Sequence, residues 1–349
     1  MIPETAAQVE PQAQVILSPE QNAEEQRWRQ QLAQSFRTPQ ALLEHLQFEE
    51  QQVVELSASD QGFGTLVPQA YANRMQPAHR HDPLLLQVLP QAAEALSAPG
   101  FVTDPLAEAD FNPSPGVVHK YHGRALLVAA GHCAINCRYC FRRHYPYDEQ
   151  QRSRSQWQDS LAHLADDKDL EEIILSGGDP LALTNNVLFA LLDEIEALPQ
   201  VQRLRIHSRL PVVLPARITS ALCQRLVNSR LQVVMVMHCN HAQEIDKEVS
   251  AACQQLQAAG VSLLNQSVLL QSINADSESL IDLSKGLFKA GVLPYYLHLP
   301  DHVAGTQHFF VEREQGQELH REMQVKLPGY LVPRLVKEEP GMAHKTLIR

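Results

Sequence analysis

The chain has 349 residues, 44% of them hydrophobic, enough for one large α/β domain with an appendage or for two ordinary domains. A net charge of −11 excludes a global positive field that would draw in nucleic acid or an anionic membrane. The start, Met1-Ile2-Pro3-Glu4, has neither a basic nor an apolar leader segment, and the longest apolar runs are too short to span a bilayer. The expectation is a cytoplasmic protein with no nucleic-acid or membrane partner.

Residues 1–20, rich in Gln, Glu, Pro and Ala, read as a loosely ordered tail. Residues 21–105 read as a small helical N-terminal domain, with helices predicted over 22–36, 39–46 and 84–96, the last broken by Pro90. Nothing in it points to chemistry. Residues 106–349 form the third unit. Short apolar runs at 125–129, 172–175, 203–207, 232–237, 262–268 and 293–298 read as strands. Helical stretches at 186–198, 219–227, 242–258 and 277–289 lie between them. Ala259-Gly260-Val261 and Ala290-Gly291-Val292 each end a helix on glycine and lead into a strand. Six such units imply an α/β fold, a full or partial TIM-like (β/α) barrel, with an open doubly wound sheet as the alternative.

Three of the six cysteines, Cys133, Cys137 and Cys140, follow the first predicted strand with Cys-x3-Cys-x2-Cys spacing. Cys223, Cys239 and Cys253 are scattered, and Cys253 keeps helical register with Ile245, Val249 and Leu256 as a buried apolar side chain. The crowded three read as metal or redox chemistry. Zinc would need a fourth ligand such as His132 or His144, whereas three thiolates hold a cubane iron–sulfur cluster with one iron open to a small molecule. After the second predicted strand comes Ser176-Gly177-Gly178-Asp179-Pro180. Its glycines let backbone approach a ligand, and Asp179 offers a carboxylate to an ammonium or ribose.

The cysteine spacing and its aromatic-basic sequel resemble the radical S-adenosylmethionine (SAM) family. Cys140-Phe141-Arg142-Arg143, Leu175-Ser176-Gly177-Gly178-Asp179-Pro180-Leu181, Asn265-Gln266-Ser267-Val268-Leu269-Leu270 and Pro340-Gly341-x-x-x-Lys345 narrow the resemblance to its lysine 2,3-aminomutases. It covers the chain from about residue 118, and the chain resembles the short bacterial form associated with elongation factor P.

The resemblance implies an isomerase that turns L-α-lysine into β-lysine with a [4Fe-4S] cluster, S-adenosyl-L-methionine and pyridoxal 5'-phosphate. In the family the open iron chelates the methionyl end of the cosubstrate, and one electron breaks its sulfonium bond to give a 5′-deoxyadenosyl radical. On this basis Cys133, Cys137 and Cys140 hold the cluster, and Ser176, Gly177, Gly178 and Asp179 form the cosubstrate motif. Lys345 makes the Schiff base to pyridoxal phosphate. Lys120 and Arg124 stand at basic positions near its phosphate, and Gln266 is a further cofactor contact. Arg142 takes the substrate carboxylate, while Asp301 and Glu338 face the side-chain amine. Implied partners are L-lysine, an electron donor such as flavodoxin, and a ligase that attaches β-lysine to elongation factor P. Two other readings are a radical enzyme without pyridoxal phosphate acting on another amino acid or a protein, and a non-catalytic metal-binding module.

Overall fold

Residues 17–57, 63–107, 116–145, 154–342 and 344–349 are described in a computed structural model of the chain. Among these residues the sheet holds nine strands in chain order. They are β1 (Val117–Tyr121), β2 (Arg124–Ala130), β3 (Glu172–Gly177), β4 (Arg203–Ser208), β5 (Gln232–His238), β6 (Ser262–Val268), β7 (Leu293–His298), β8 (Arg334–Lys337) and β9 (Thr346–Leu347). Strands β2 to β8 run parallel, and β1 and β9 flank them antiparallel. Strictly sequential order removes the doubly wound alternative, in which strand order reverses at a switch point. Among the described residues neither β1 nor β9 pairs beyond its one neighbour, so the barrel is partial.

Helices cover the outer face. Helix Lys247–Ala258 is capped by Asp246, which accepts from Glu248 N and Val249 N. It ends at Gly260, where Val261 N donates to Leu256 O and Gly260 N to Gln257 O. Helix Ser277–Lys289 repeats the plan, with Asp276 at its start and Gly291 just past its end. The expected helix over 242–258 is split: a 3-10 turn, Ala242–Glu244, precedes it.

Helix Pro19–Ala33 starts inside the expected tail, because Ser18 and Gln21 form a capping box ahead of Pro19. Residues 1–16 lie outside the described residues. The expected helix over 84–96 does not form. Asp82 accepts from Leu84 N and Leu85 N to close an isolated turn, Pro90 breaks the path, and only the 3-10 turn Ala92–Ala95 follows. Trp28, Leu42, Leu43, Tyr71 and Leu84 share one continuous apolar core with Leu175, Leu204, Met235 and Leu263 of the sheet. The expected role of Cys253 as core filling is met: it is fully buried in helix Lys247–Ala258 beside Val249 and Leu256.

Candidate functional site

Parallel strands put the chemistry at one end. Ser176 and Gly177 close β3, His207 and Ser208 close β4, His238 closes β5, Gln266 lies near the end of β6 and His298 closes β7. Side chains alternate along a strand. The sheet pairs His238 with Gln266, Gln266 with Tyr296, and Val268 with His298, so these residues belong to one inward-facing row. His238, Gln266, Val268 and His298 of this row line a cavity of about 200 Å³ that also meets Cys133, Cys137, Cys140, Arg142, Asp301, Glu338 and Lys345. A second lobe of about 410 Å³ adjoins it, sharing Arg142, Ser176, His207, Glu338 and Lys345 and adding Tyr121, Arg124, Arg205, Tyr296 and Arg334.

The cysteine loop leaves β2 and is laced to the N-terminal segment. Asn136 N donates to Leu66 O (3.0 Å), Asn136 Nδ2 to Gly64 O (2.7 Å), and Arg138 N to Gln87 O (2.8 Å). Arg138, between Cys137 and Cys140, is fully buried, and Nε donates to Glu94 Oε1 (2.8 Å). Arg143 Nη2 reaches the same carboxylate at 2.7 Å. The segment expected to lack chemistry therefore supplies the acid that neutralises both arginines. Burial, and then the neighbouring thiols, push Cys140 up to about 11 and Cys133 well above its ordinary value. Burial and mutual repulsion disfavour thiolates here, so ligation would need a cation that offsets both, as iron does. Arg209 Nη1 donates to Cys137 Sγ. His144 is turned to Ala304 O instead (2.9 Å), which counts against its serving as a zinc ligand. Among the described residues no three His, Cys, Asp or Glu side chains converge on a single-ion site.

The Ser176–Asp179 turn follows β3 directly. Gly177 has φ +111, and a Cβ on Gly178 would lie 2.2 Å from His132 O, so the turn admits only glycine beside the cysteine loop. Asp179 departs from the expectation of a free carboxylate. Its Oδ1 accepts from Leu181 N (3.0 Å) and Ser208 Oγ (2.8 Å), and Oδ2 from Arg209 N (2.7 Å) and Leu210 N (3.2 Å). It fastens the end of β4 to the turn, and what the turn offers a ligand is backbone.

Arg142 stands where the lobes meet, buried, with Nη1 donating to Ser176 Oγ at 3.1 Å. Asp301 lines the first lobe, and Gln266 Nε2 lies 2.9 Å from His238 Nε2. Lys345 Nζ is ion-paired with Glu338 Oε2, and Tyr121 of β1 donates to Glu338 Oε1 at 3.2 Å. Burial pushes the Glu338 carboxyl up, but Lys345 outweighs it and holds it at about 2. Arg124 and Arg334 line the second lobe as cations suited to a phosphate next to Lys345, together with Arg205, whose Nε and Nη2 donate to Glu172. Lys120 is placed differently: its Nζ donates to Leu106 O (2.9 Å), and it lines neither lobe.

Arg209, Arg205, His207 and His238 carry no motif, yet all face the site. Burial holds His238 at about 3 and drives His207 and His298 well below the ordinary histidine value. His207 Nε2 and His298 Nε2 are buried with no hydrogen-bond partner among the described residues, two ring nitrogens at the cavity wall. Their place at strand ends, in the same alternation as Gln266, is the signal that would have found them.

Residues 127–235 match the radical SAM superfamily. The chain is 46% identical over 320 residues to an L-lysine 2,3-aminomutase of Escherichia coli (strain K12), spanning 91% of this chain and 93% of that protein. It is 45% identical over 324 residues to one from Haemophilus influenzae, spanning 93% and 96%. A glutamate 2,3-aminomutase of Clostridioides difficile is 31% identical over 277 residues, 79% of this chain and 65% of that one. With a cavity that joins three cysteines to a lysine across a buried arginine, and with relatives of this similarity along nearly its whole length, the chain belongs to the L-lysine 2,3-aminomutase family of radical SAM enzymes.

Proposed function

We propose that the protein converts L-α-lysine to β-lysine, using a [4Fe-4S] cluster, S-adenosyl-L-methionine and pyridoxal phosphate. The observation that carries this reading is the pair of adjoining lobes, one walled by the cysteines and the other by Lys345 and three arginines, with Arg142 between them.

In this reading Cys133, Cys137 and Cys140 hold the cluster, and the Gly177–Gly178 backbone takes the cosubstrate's amino group. Lys345 ties pyridoxal phosphate, with Arg124, Arg205 and Arg334 on its phosphate. When bound, the cluster and cosubstrate supply one-electron chemistry, and pyridoxal phosphate supplies the carbonyl that carries the migrating amino group. The chain's own task is positioning. Arg142 presents a planar fork to the substrate carboxylate at the junction of the lobes. Lys345 would give up its ion pair on engaging the cofactor, its Nζ proton leaving to water so that Glu338 keeps its charge. Glu338, still hydrogen-bonded by Tyr121, then faces the substrate together with Asp301. Two acids suit a terminal ammonium, whereas a glutamate-specific pocket would need a cation there. His207, His238 and His298 stay neutral and add no positive charge against that ammonium.

Family likeness to the short bacterial forms supports a use for the product in modifying elongation factor P through a ligase, with electrons from a donor such as flavodoxin. Among the described residues no helix is long and apolar enough to cross a membrane, in keeping with a cytoplasmic setting. Borohydride reduction of the cofactor-loaded protein tests the reading: the pyridoxyl label is expected on Lys345, and recovery on Lys326 or Lys337 would contradict it.

A further inference from the structure

We propose that Arg209 is a positioning residue for the iron–sulfur cluster, donating a charged hydrogen bond to the Cys137 sulfur and so raising the cluster's reduction potential. The inference rests on the reading that Cys133, Cys137 and Cys140 hold that cluster. Arg209 stands just past the end of β4, 5% exposed, in a cage drawn from distant parts of the chain. Its Nη2 donates to Gln87 Oε1 (2.7 Å), Tyr71 OH (3.0 Å) and Glu244 Oε2 (3.1 Å). Glu244 is itself fully buried, and its Oε1 accepts from Asn240 N (2.9 Å), His241 N (3.1 Å) and Gln87 Nε2 (3.2 Å).

A guanidinium is planar, so fixing one end decides where the other points, and here Nη1 points at Cys137 Sγ. Tyr71, Gln87 and Glu244 do not line the cavity, so their influence on the site passes through Arg209. A buried arginine without partners is costly, and the acid of the cage offsets that cost while leaving Nη1 for the sulfur. Reduction places one more negative charge on a cluster. A cation hydrogen-bonded to a ligating sulfur stabilises that state, and hydrogen bonds to the sulfurs are a known control of potential.

The test is an EPR-monitored redox titration of anaerobically loaded protein without S-adenosylmethionine, which separates this role from cosubstrate binding. Arg209→Met is expected to lower the midpoint by a tenfold change in the reduction equilibrium, about 59 mV for one electron. Arg209→Lys should fall between the two. Because Arg209→Met also disturbs the cage and risks the fold, a second measurement uses the unaltered sequence. Pulsed EPR of the reduced cluster in protein carrying arginine ¹⁵N-labelled only in its guanidino group should reveal coupling to a guanidinium nitrogen that disappears in Arg209→Lys, the label leaving the backbone amides of Arg138 and Arg142 silent. Equal midpoints in wild type and Arg209→Met, or a coupling that is absent or survives Arg209→Lys, overturn the proposal. Iron and sulfide read on the same samples keep the two ideas apart: a wild type that takes up no cluster removes the cluster assignment itself.

Discussion

Lys345 and Glu338, seven residues apart, are ion-paired inside the cavity, and Tyr121 of the first strand donates to the same carboxylate. Side chains thus tie the two edges of an open sheet at the place where the cofactor lysine is expected. The pair also fixes a pH dependence. Glu338 is held at about 2, below its unfolded value near 4.3, so its stabilisation is present above about pH 4.3 and is lost as pH falls toward 2. Glu338→Gln should cost about 1–3 kcal/mol at neutral pH by leaving Lys345 without its partner. It should also flatten the acid limb in that window, measured by urea unfolding of the apo-protein.

Histidines set a second, milder acid limit. His207, His238 and His298 are all held neutral, chiefly by burial, with His238 at about 3. Their unfolded value is near 6.5, so the stability they carry is complete above about 6.5 and declines as pH falls through that value. Three such groups give a slope of up to about 4 kcal/mol per pH unit. Unfolding of the apo-protein at pH 7.5, 6.0 and 5.0 measures it, and His298→Asn should reduce the slope by about a third. A flat profile over that range would contradict neutral histidines at the cavity wall.

Cluster ligation predicts a sharp division among the cysteines. Cys133→Ala, Cys137→Ala or Cys140→Ala should each abolish the cluster's visible absorption and cosubstrate cleavage. Cys253→Ala should keep both, at a packing cost of about 1 kcal/mol. Iron and sulfide content after anaerobic reconstitution decides the matter, and a full cluster in Cys137→Ala would sink the assignment.

The glycine turn predicts a steric effect without any ligand. A methyl on Gly178 would meet the His132 carbonyl carbon at 2.5 Å and oxygen at 2.2 Å, backbone atoms that cannot swing aside. Gly178→Ala should therefore destabilise the apo-protein by about 1–3 kcal/mol and pull the cysteine loop out of register. Thermal melting of the apo-protein measures the first effect, and cluster occupancy the second.

What the sequence disclosed follows from how local each signal is. The cysteine spacing, the Ser176–Asp179 turn and the glycine-ended helices are contiguous patterns, and their places at strand ends follow from parallel β/α order. Strand β9 has two residues, too short for periodicity to announce it, and β1 turns polar at His119-Lys120 and so shows no apolar run. Asp179 looked like a free carboxylate because its donors, Ser208, Arg209 and Leu210, come from the next unit of the chain. Glu94 gave no sign of its role because its arginine partners lie 44 and 49 residues further on. Lys120 matched a family position, yet its ammonium turns to the Leu106 carbonyl. Arg209 belongs to no motif, and only the folded cage aims it.

Substrate choice tests the central claim most directly. The cluster-loaded, cofactor-loaded enzyme should be given lysine, arginine and glutamate under anaerobic reducing conditions, with amino-acid isomers resolved by chromatography and mass spectrometry. Lysine should yield β-lysine at a rate at least about 100-fold above glutamate, because one mispaired buried charge costs about 3 kcal/mol or more. Asp301→Asn should lose far more lysine turnover than Arg143→Lys, whose guanidinium is spent on Glu94 and backbone carbonyls. Preference for glutamate, or unchanged lysine turnover in Asp301→Asn, would contradict the account.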